Sequence, residues 1–208
     1  MKILIADDHS VVRKGLIQII HDEFPFAEIE EVADAEALIN KVMKSEYDII
    51  ISDLSMPGRS GLDALVQIKE FYPKLPVLIM SVYSEDQYAL RVLKAGASGY
   101  LTKDSAPEEL IKAMRQVLLG KKYITSSIAE KLINVLDQDS EKQLHEQLSD
   151  REFEVLKLIA AGKSVSDIAT MLSLSVTTVS TYRARILSKM NMKTNADLIM
   201  YAIEYKLL

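Results

Sequence analysis

The chain has 208 residues, 49% of them hydrophobic and 26% charged, a balance that fits one or two globular domains and excludes a disordered polyelectrolyte. It contains no cysteine, which excludes disulfide frameworks, thiolate zinc sites and cysteine nucleophiles. The net charge of −5 is unevenly spread, with −4 on residues 1–123, −3 on 124–147 and +2 on 148–208. No apolar run is long enough to span a bilayer, and Asp7 and Asp8 arrive too early for a signal peptide. A soluble cytoplasmic protein of bacterial style, with no membrane partner, is expected.

Short runs rich in β-branched and aromatic residues predict strands at Lys2–Ala6, Ala27–Val32, Asp48–Ser52, Pro76–Met80 and Ser98–Leu101. Ile49-Ile50-Ile51 and Val77-Leu78-Ile79 lack alternation, which suits parallel strands covered on both faces. Between the strands, helical spacing falls at about 9–22, 35–44, 61–72, 84–95 and 107–119. Five βα units in succession predict an α/β domain over residues 1–122, a doubly wound five-stranded parallel sheet. Residues 123–147 read as a linker, amphipathic and helical over Ile128–Leu136, then polar and acidic from Asp137. From residue 148 to 208 the strands stop. Ser149 with Glu152 forms a capping box, Ser164 and Ser175 can cap two further helices, and Thr194 with Asp197 opens a fourth. This all-α, four-helix domain has a three-residue turn at Ser173–Ser175, which predicts a helix-turn-helix spanning Val165 to Ala184.

In an open parallel sheet, chemistry collects at the carboxyl ends of the strands. Asp7-Asp8 follows the first strand, Asp53 the third, Ser81 the fourth, and Thr102-Lys103 the fifth. Three carboxylates in one place repel one another unless a cation joins them. A hard divalent ion fits such oxygen donors; magnesium fits best, with manganese as the alternative. A bound ion and Lys103 can neutralise the oxygens of a phosphoryl group while a carboxylate attacks in line. Asp53, on the central strand, is the best nucleophile. Asp7 and Asp8 would hold the ion, and Ser81 could sense an acquired phosphoryl group.

Residues 1–120 resemble the receiver domain of bacterial two-component response regulators, with the CheY-like, flavodoxin-like fold. The resemblance rests on Asp7-Asp8, on Asp53 followed by Met56-Pro57 and Gly61, on Ser81, on Ala95-Gly96-Ala97 and on Lys103. Asp7-Asp8-His9 is similar to the start of the NarL/FixJ subfamily. The resemblance implies that Asp53 takes a phosphoryl group from a sensor histidine kinase. It further implies magnesium on Asp8, Asp53 and the Ser55 carbonyl, with Asp7 acting through water, and a switch pair formed by Ser81 and Tyr100. Relatives often have proline after the lysine, in a cis bond; here Asp104 stands there, which leaves that geometry open, since a non-proline cis bond costs about 2.5–4 kcal/mol.

Placed on a helix, Val179, Tyr182, Ile186 and Met190 fall on one side, and Thr177, Ser180, Thr181, Ala184, Arg185 and Ser188 fall towards the other. Thr178 lies at the helix start. Small hydroxyls with an arginine suit the major groove, while Arg183, Lys189 and Lys193 lie nearer the flanks, where phosphates would be. Residues 148–203 resemble the LuxR-type helix-turn-helix through Leu148–Glu152, Ile159–Ser164, Asp167–Ala169, Leu174-Ser175, Thr178-Val179 and Ile186–Met190. That resemblance implies a third helix that reads promoter DNA and dimers on paired half-sites. Ala196, Ile199, Met200 and Ile203 on the last helix serve equally as a dimer surface or a core face.

The expected function is a DNA-binding transcription regulator switched by phosphorylation of Asp53, through dimerisation and release of the reading helix. It is not expected to be an enzyme beyond accepting, and at most hydrolysing, its own phosphoryl group. A phosphoaspartate hydrolase of small substrates would need an acid/base carboxylate two residues after the nucleophile, where Ser55 stands.

Overall fold

The computed structural model describes residues 1–130, 143–205 and 207. It divides into two compact units, Met1–Asp137 and Gln138–Leu208. In the first, β1 (Lys2–Ala6), α1 (Ser10–Glu23), β2 (Glu28–Val32), α2 (Ala35–Val42), β3 (Ile49–Asp53), α3 (Gly61–Phe71), β4 (Val77–Ser81), α4 (Glu85–Lys94), β5 (Gly99–Thr102) and α5 (Pro107–Leu118) alternate along the chain. All strand pairs are parallel and the sheet order is β2-β1-β3-β4-β5, which places Asp53 at the end of the central strand.

Alternation of side chains along each strand divides the core into two layers. Ile3, Ile5, Ile49, Ile51, Leu78, Met80 and Leu101 pack with Leu16 and Ile20 of α1 and with Leu110, Met114 and Val117 of α5. The intervening residues Leu4, Ile50, Ile79 and Tyr100 are also fully buried, on the face that α2, α3 and α4 cover. Burial on both sides explains the missing alternation at Ile49–Ile51. The edge strand β2 contrasts with this: its Glu28 and Glu31 are exposed, as suits a strand paired on one side. The peptide bond between Lys103 and Asp104 is trans, as are all those described.

After α5 the chain adds a parallel bridge from Tyr123 to Gly99, and residues 126–130 are helical. Residues 131–142 of the expected linker, which hold most of the Ile128–Leu136 helix and most of the acidic stretch from Asp137, lie outside the described residues.

The second unit holds a short 3₁₀ turn, Leu144–Gln147, then α6 (Asp150–Ala160), α7 (Val165–Met171), α8 (Val176–Lys189) and α9 (Asn195–Glu204). Each helix starts on a side-chain cap that the sequence signals. Ser149 with Glu152, Ser164 with Asp167, and Thr194 with Asp197 form capping boxes, and the Ser175 hydroxyl accepts from the Thr178 amide. The core joins Phe153, Leu156, Ile159, Ile168, Val179, Ile186, Leu198 and Ala202, all buried. No helix among the described residues is long and apolar enough to cross a membrane.

Candidate functional site

At the carboxyl end of the sheet, Asp7, Asp8 and Asp53 bring carboxylate oxygens and His9 a ring nitrogen within 4.8 Å of one another. Lys103 enters from beyond β5 and holds two of the acids at once, its Nζ 2.8 Å from Asp53 Oδ2 and 2.6 Å from Asp7 Oδ2. The Ser55 amide donates to Asp53 Oδ1 at 3.2 Å, which places Ser55 beside the Asp53 carboxylate. Burial pushes the Asp53 carboxyl above the usual carboxylate range; the hydrogen bond and charge of Lys103 oppose the shift without cancelling it. For Lys103, burial pulls the ammonium down, but its bonds to Asp53 and Asp7 prevail and the net shift is upward. The cluster is therefore a net-negative pocket with one internal cation.

Two supports for this site escape sequence reasoning. Arg13 on α1 donates from Nη1 to the Asp7 carbonyl at 2.7 Å and from Nε to Glu31 at 2.7 Å, fixing the β1–α1 turn. Gly61 opens α3 so close to β3 that a Cβ there would stand 1.9 Å from the Asp53 carbonyl oxygen. His9 also joins the cluster unforeseen, with Nδ1 2.7 Å from Asp8 Oδ1. The motif Asp7-Asp8-His9 and the glycine were visible, but not which way a ring turns or how near two backbones come.

Ser81 and Tyr100 are both fully buried and share one loop. The Ser81 hydroxyl accepts from the Tyr83 amide at 3.2 Å, and the Tyr100 hydroxyl donates to the Tyr83 carbonyl at 2.8 Å. Burial raises the Tyr100 phenol well above its ordinary range, so it stays a neutral donor.

Val179 and Ile186 of α8 and Met190 just past its end are buried, while Thr177, Ser180, Thr181, Ala184, Arg185 and Ser188 on the helix are exposed. Lys193, just past the helix, is also exposed. Four of the expected contact residues have structural partners. Thr178 joins the Ser175 cap at 2.7 Å, Thr181 Oγ1 donates to the Thr177 carbonyl at 2.9 Å, Arg183 Nε donates to Asn195 Oδ1 at 2.6 Å, and Lys189 Nζ donates to Glu152 Oε2 at 2.6 Å.

Residues 3–115 match the family of the response regulator receiver domain, and residues 146–202 match that of the bacterial regulatory proteins of the luxR family. The oxygen regulatory protein NreC of Staphylococcus carnosus is 40% identical over 215 residues, covering 100% of this chain and 99% of its own. The chain is a NarL/FixJ-type response regulator. Its fold is shared with RcsB of Salmonella enterica serovar Typhimurium bound to promoter rprA in the presence of phosphomimetic BeF3− (TM-score 0.58, 30% identity, 97% of each chain). A structure of two RcsB dimers bound to two parallel DNAs is similar to the same degree (TM-score 0.60, 29% identity, 97% of each chain). In this response regulator the receiver holds the acidic cluster, and the luxR-family domain holds the exposed face of α8.

Proposed function

We propose that this response regulator is a transcription regulator whose DNA binding is switched by phosphoryl transfer from a sensor histidine kinase to Asp53. The observation that carries the reading is Lys103, whose single ammonium bridges Asp7 and Asp53 at the end of the central strand. A lysine so placed can follow charge from the carboxylate onto phosphoryl oxygens as the new bond forms.

The residues also fit a divalent cation. Asp8 Oδ1 is buried and accepts no hydrogen bond, although His9 Nδ1 lies 2.7 Å away. Asp8, Asp53 and the Ser55 carbonyl would hold magnesium, or manganese in its place, with Asp7 acting through water. Bound there, the ion supplies positive charge to phosphoryl oxygens. Asp53 Oδ2 is taken by Lys103, which leaves Oδ1, with its long bond from Ser55, as the attacking oxygen. As the Asp53–phosphorus bond forms, the bond from phosphorus to the kinase imidazole nitrogen breaks. The chain acts as acceptor, and hydrolysis of its own acyl phosphate is the one further reaction assigned to it.

In the luxR-family domain, the exposed hydroxyls and Arg185 of α8 face promoter DNA. Met200 and Ile203 on α9 are 72% and 61% exposed, so they do not serve the core and favour pairing of two copies on paired half-sites. The cytoplasm, where such a kinase and promoter meet, is the compartment this reading requires.

The test is intact mass after incubation with acetyl phosphate and magnesium, for the wild type and Asp53→Asn. A gain of about 80 Da in the wild type alone, the mass of one phosphoryl group, with tighter promoter binding afterwards, is expected. No gain in the wild type would sink the phosphoacceptor reading and leave the DNA-binding domain standing.

A further inference from the structure

The segment that leaves the receiver is fastened to it at several points. The Tyr123 amide donates to the Ser98 carbonyl at 2.8 Å, and its hydroxyl donates to Glu109 at 2.7 Å while the ring is buried. Gly99 makes room for this strand, since a Cβ there would stand 2.9 Å from the Tyr123 Cβ. Two residues on, the Thr125 hydroxyl donates to Glu85 Oε2 at 2.6 Å. The same hydroxyl lies 3.4 Å from the Ile128 amide, so it also caps the helical residues 126–130, with Ile128 buried beneath.

Glu85 is the first residue of α4, directly after the loop that Ser81 and Tyr100 hold. Within that loop the Tyr83 peptide is gripped from both sides, its amide by Ser81 and its carbonyl by Tyr100. A phosphoryl group on Asp53 that draws the Ser81 hydroxyl towards itself takes away the acceptor for Tyr83, two residues from Glu85. Tyr123 is anchored on β5, outside this chain of contacts, so movement of the loop is felt at Thr125 and not at Tyr123.

We propose that the Glu85–Thr125 hydrogen bond is a latch: it ties the start of the interdomain linker to the β4–α4 loop, and it opens when Asp53 is phosphorylated. The proposal rests on the phosphoacceptor reading above. The latch turns a rearrangement at the sheet end into release of the linker helix, without any contact between the phosphoryl group and the linker.

The measurement is amide hydrogen exchange of residues 124–130 in the full chain, with and without acetyl phosphate and magnesium, with intact mass taken on the same samples. In the wild type, exchange of the segment quickens about tenfold or more on phosphorylation, the size expected for loss of one charge-assisted hydrogen bond. Glu85→Ala keeps the cap and the mass gain but exchanges rapidly in both states. Thr125→Val, which removes latch and cap together, also keeps the mass gain and exchanges rapidly in both states, and Thr125→Ser restores the phosphorylation dependence. Equal exchange in phosphorylated and unphosphorylated wild type overturns the latch, as does a phosphorylation response that survives in Glu85→Ala. Absence of the mass gain in the wild type instead overturns the phosphoacceptor reading, and the latch with it.

Discussion

Lys189 illustrates how a residue of the right type in the right helix can serve the fold instead of the ligand. Its ammonium meets Glu152, a carboxylate whose side chain is 3% exposed and which also accepts from the Ser149 amide at 2.7 Å. Burial raises the Glu152 carboxyl, but the bonds from Lys189 and Ser149 outweigh it and the net shift is downward. A carboxyl lowered in the folded state stabilises above its ordinary range, near 4.3, and loses that contribution as pH falls through the folded value. Removing the ammonium leaves a buried carboxylate half-satisfied. Because Lys189 is itself partly solvated, Lys189→Ala should cost roughly 1–3 kcal/mol, less than a fully buried pair. Thermal unfolding of the C-terminal unit should show that loss at pH 7 and a smaller one near pH 3. Arg185, exposed on the face of α8, should behave oppositely: Arg185→Ala leaves the unfolding temperature alone and weakens DNA binding. An Arg185→Ala protein with full DNA affinity would remove α8 from the interface.

At the scale of elements, β3, its loop and α3 form the device that presents Asp53, and Gly61 sets its dimensions. The Gly61 amide donates to the Leu54 carbonyl at 2.8 Å, and the helix start presses against the Asp53 backbone. Gly61→Ala should therefore destabilise the receiver by roughly 1–3 kcal/mol through overpacking, despite alanine's better helix propensity. It should also slow labelling by acetyl phosphate, because the backbone that must yield is that of Asp53. Gly15, within α1, has no neighbouring atom within 4 Å of where a methyl group would stand, so Gly15→Ala should stabilise by up to about 1 kcal/mol and leave labelling unchanged. Equal effects of the two substitutions would refute the close-approach argument. The element pattern itself was legible, because β-branched runs, helical spacing and Ser or Thr caps are local signals; the expected strands each began at most one residue early. The carboxylates, Ser81 and Lys103 were legible because parallel topology sends every strand end to one edge. The orientation of His9, the grip of Arg13 on the Asp7 carbonyl and the capture of Lys189 by Glu152 were not, because each depends on a rotamer or on a partner distant in sequence.

Over the whole molecule, charge alone opposes activation. The chain carries −5, and an aspartyl phosphate of about −1.5 to −2 replaces a carboxylate of −1, a net addition of about −0.5 to −1, so simple electrostatics would weaken attraction to DNA. Tighter binding after phosphorylation must therefore come from a change in structure or in the number of copies bound. The luxR-family unit exposes Lys163, Arg185 and Lys193, a modest set for one copy, since Arg183 and Lys189 are engaged with Asn195 and Glu152. Lys163 and Lys193 as phosphate contacts give a slope of log affinity against log salt of about −2 for one copy, and two copies on paired half-sites about −4. Fluorescence anisotropy across a salt series, with the phosphorylated chain on a single and on a paired half-site, separates these cases. The paired site should show the steeper slope, and Met200→Glu with Ile203→Glu on α9 should return it to the single-site value without changing the mass gain expected at Asp53. Identical slopes on the two DNAs would mean that one copy binds alone, and would move the source of activation from pairing to exposure of α8.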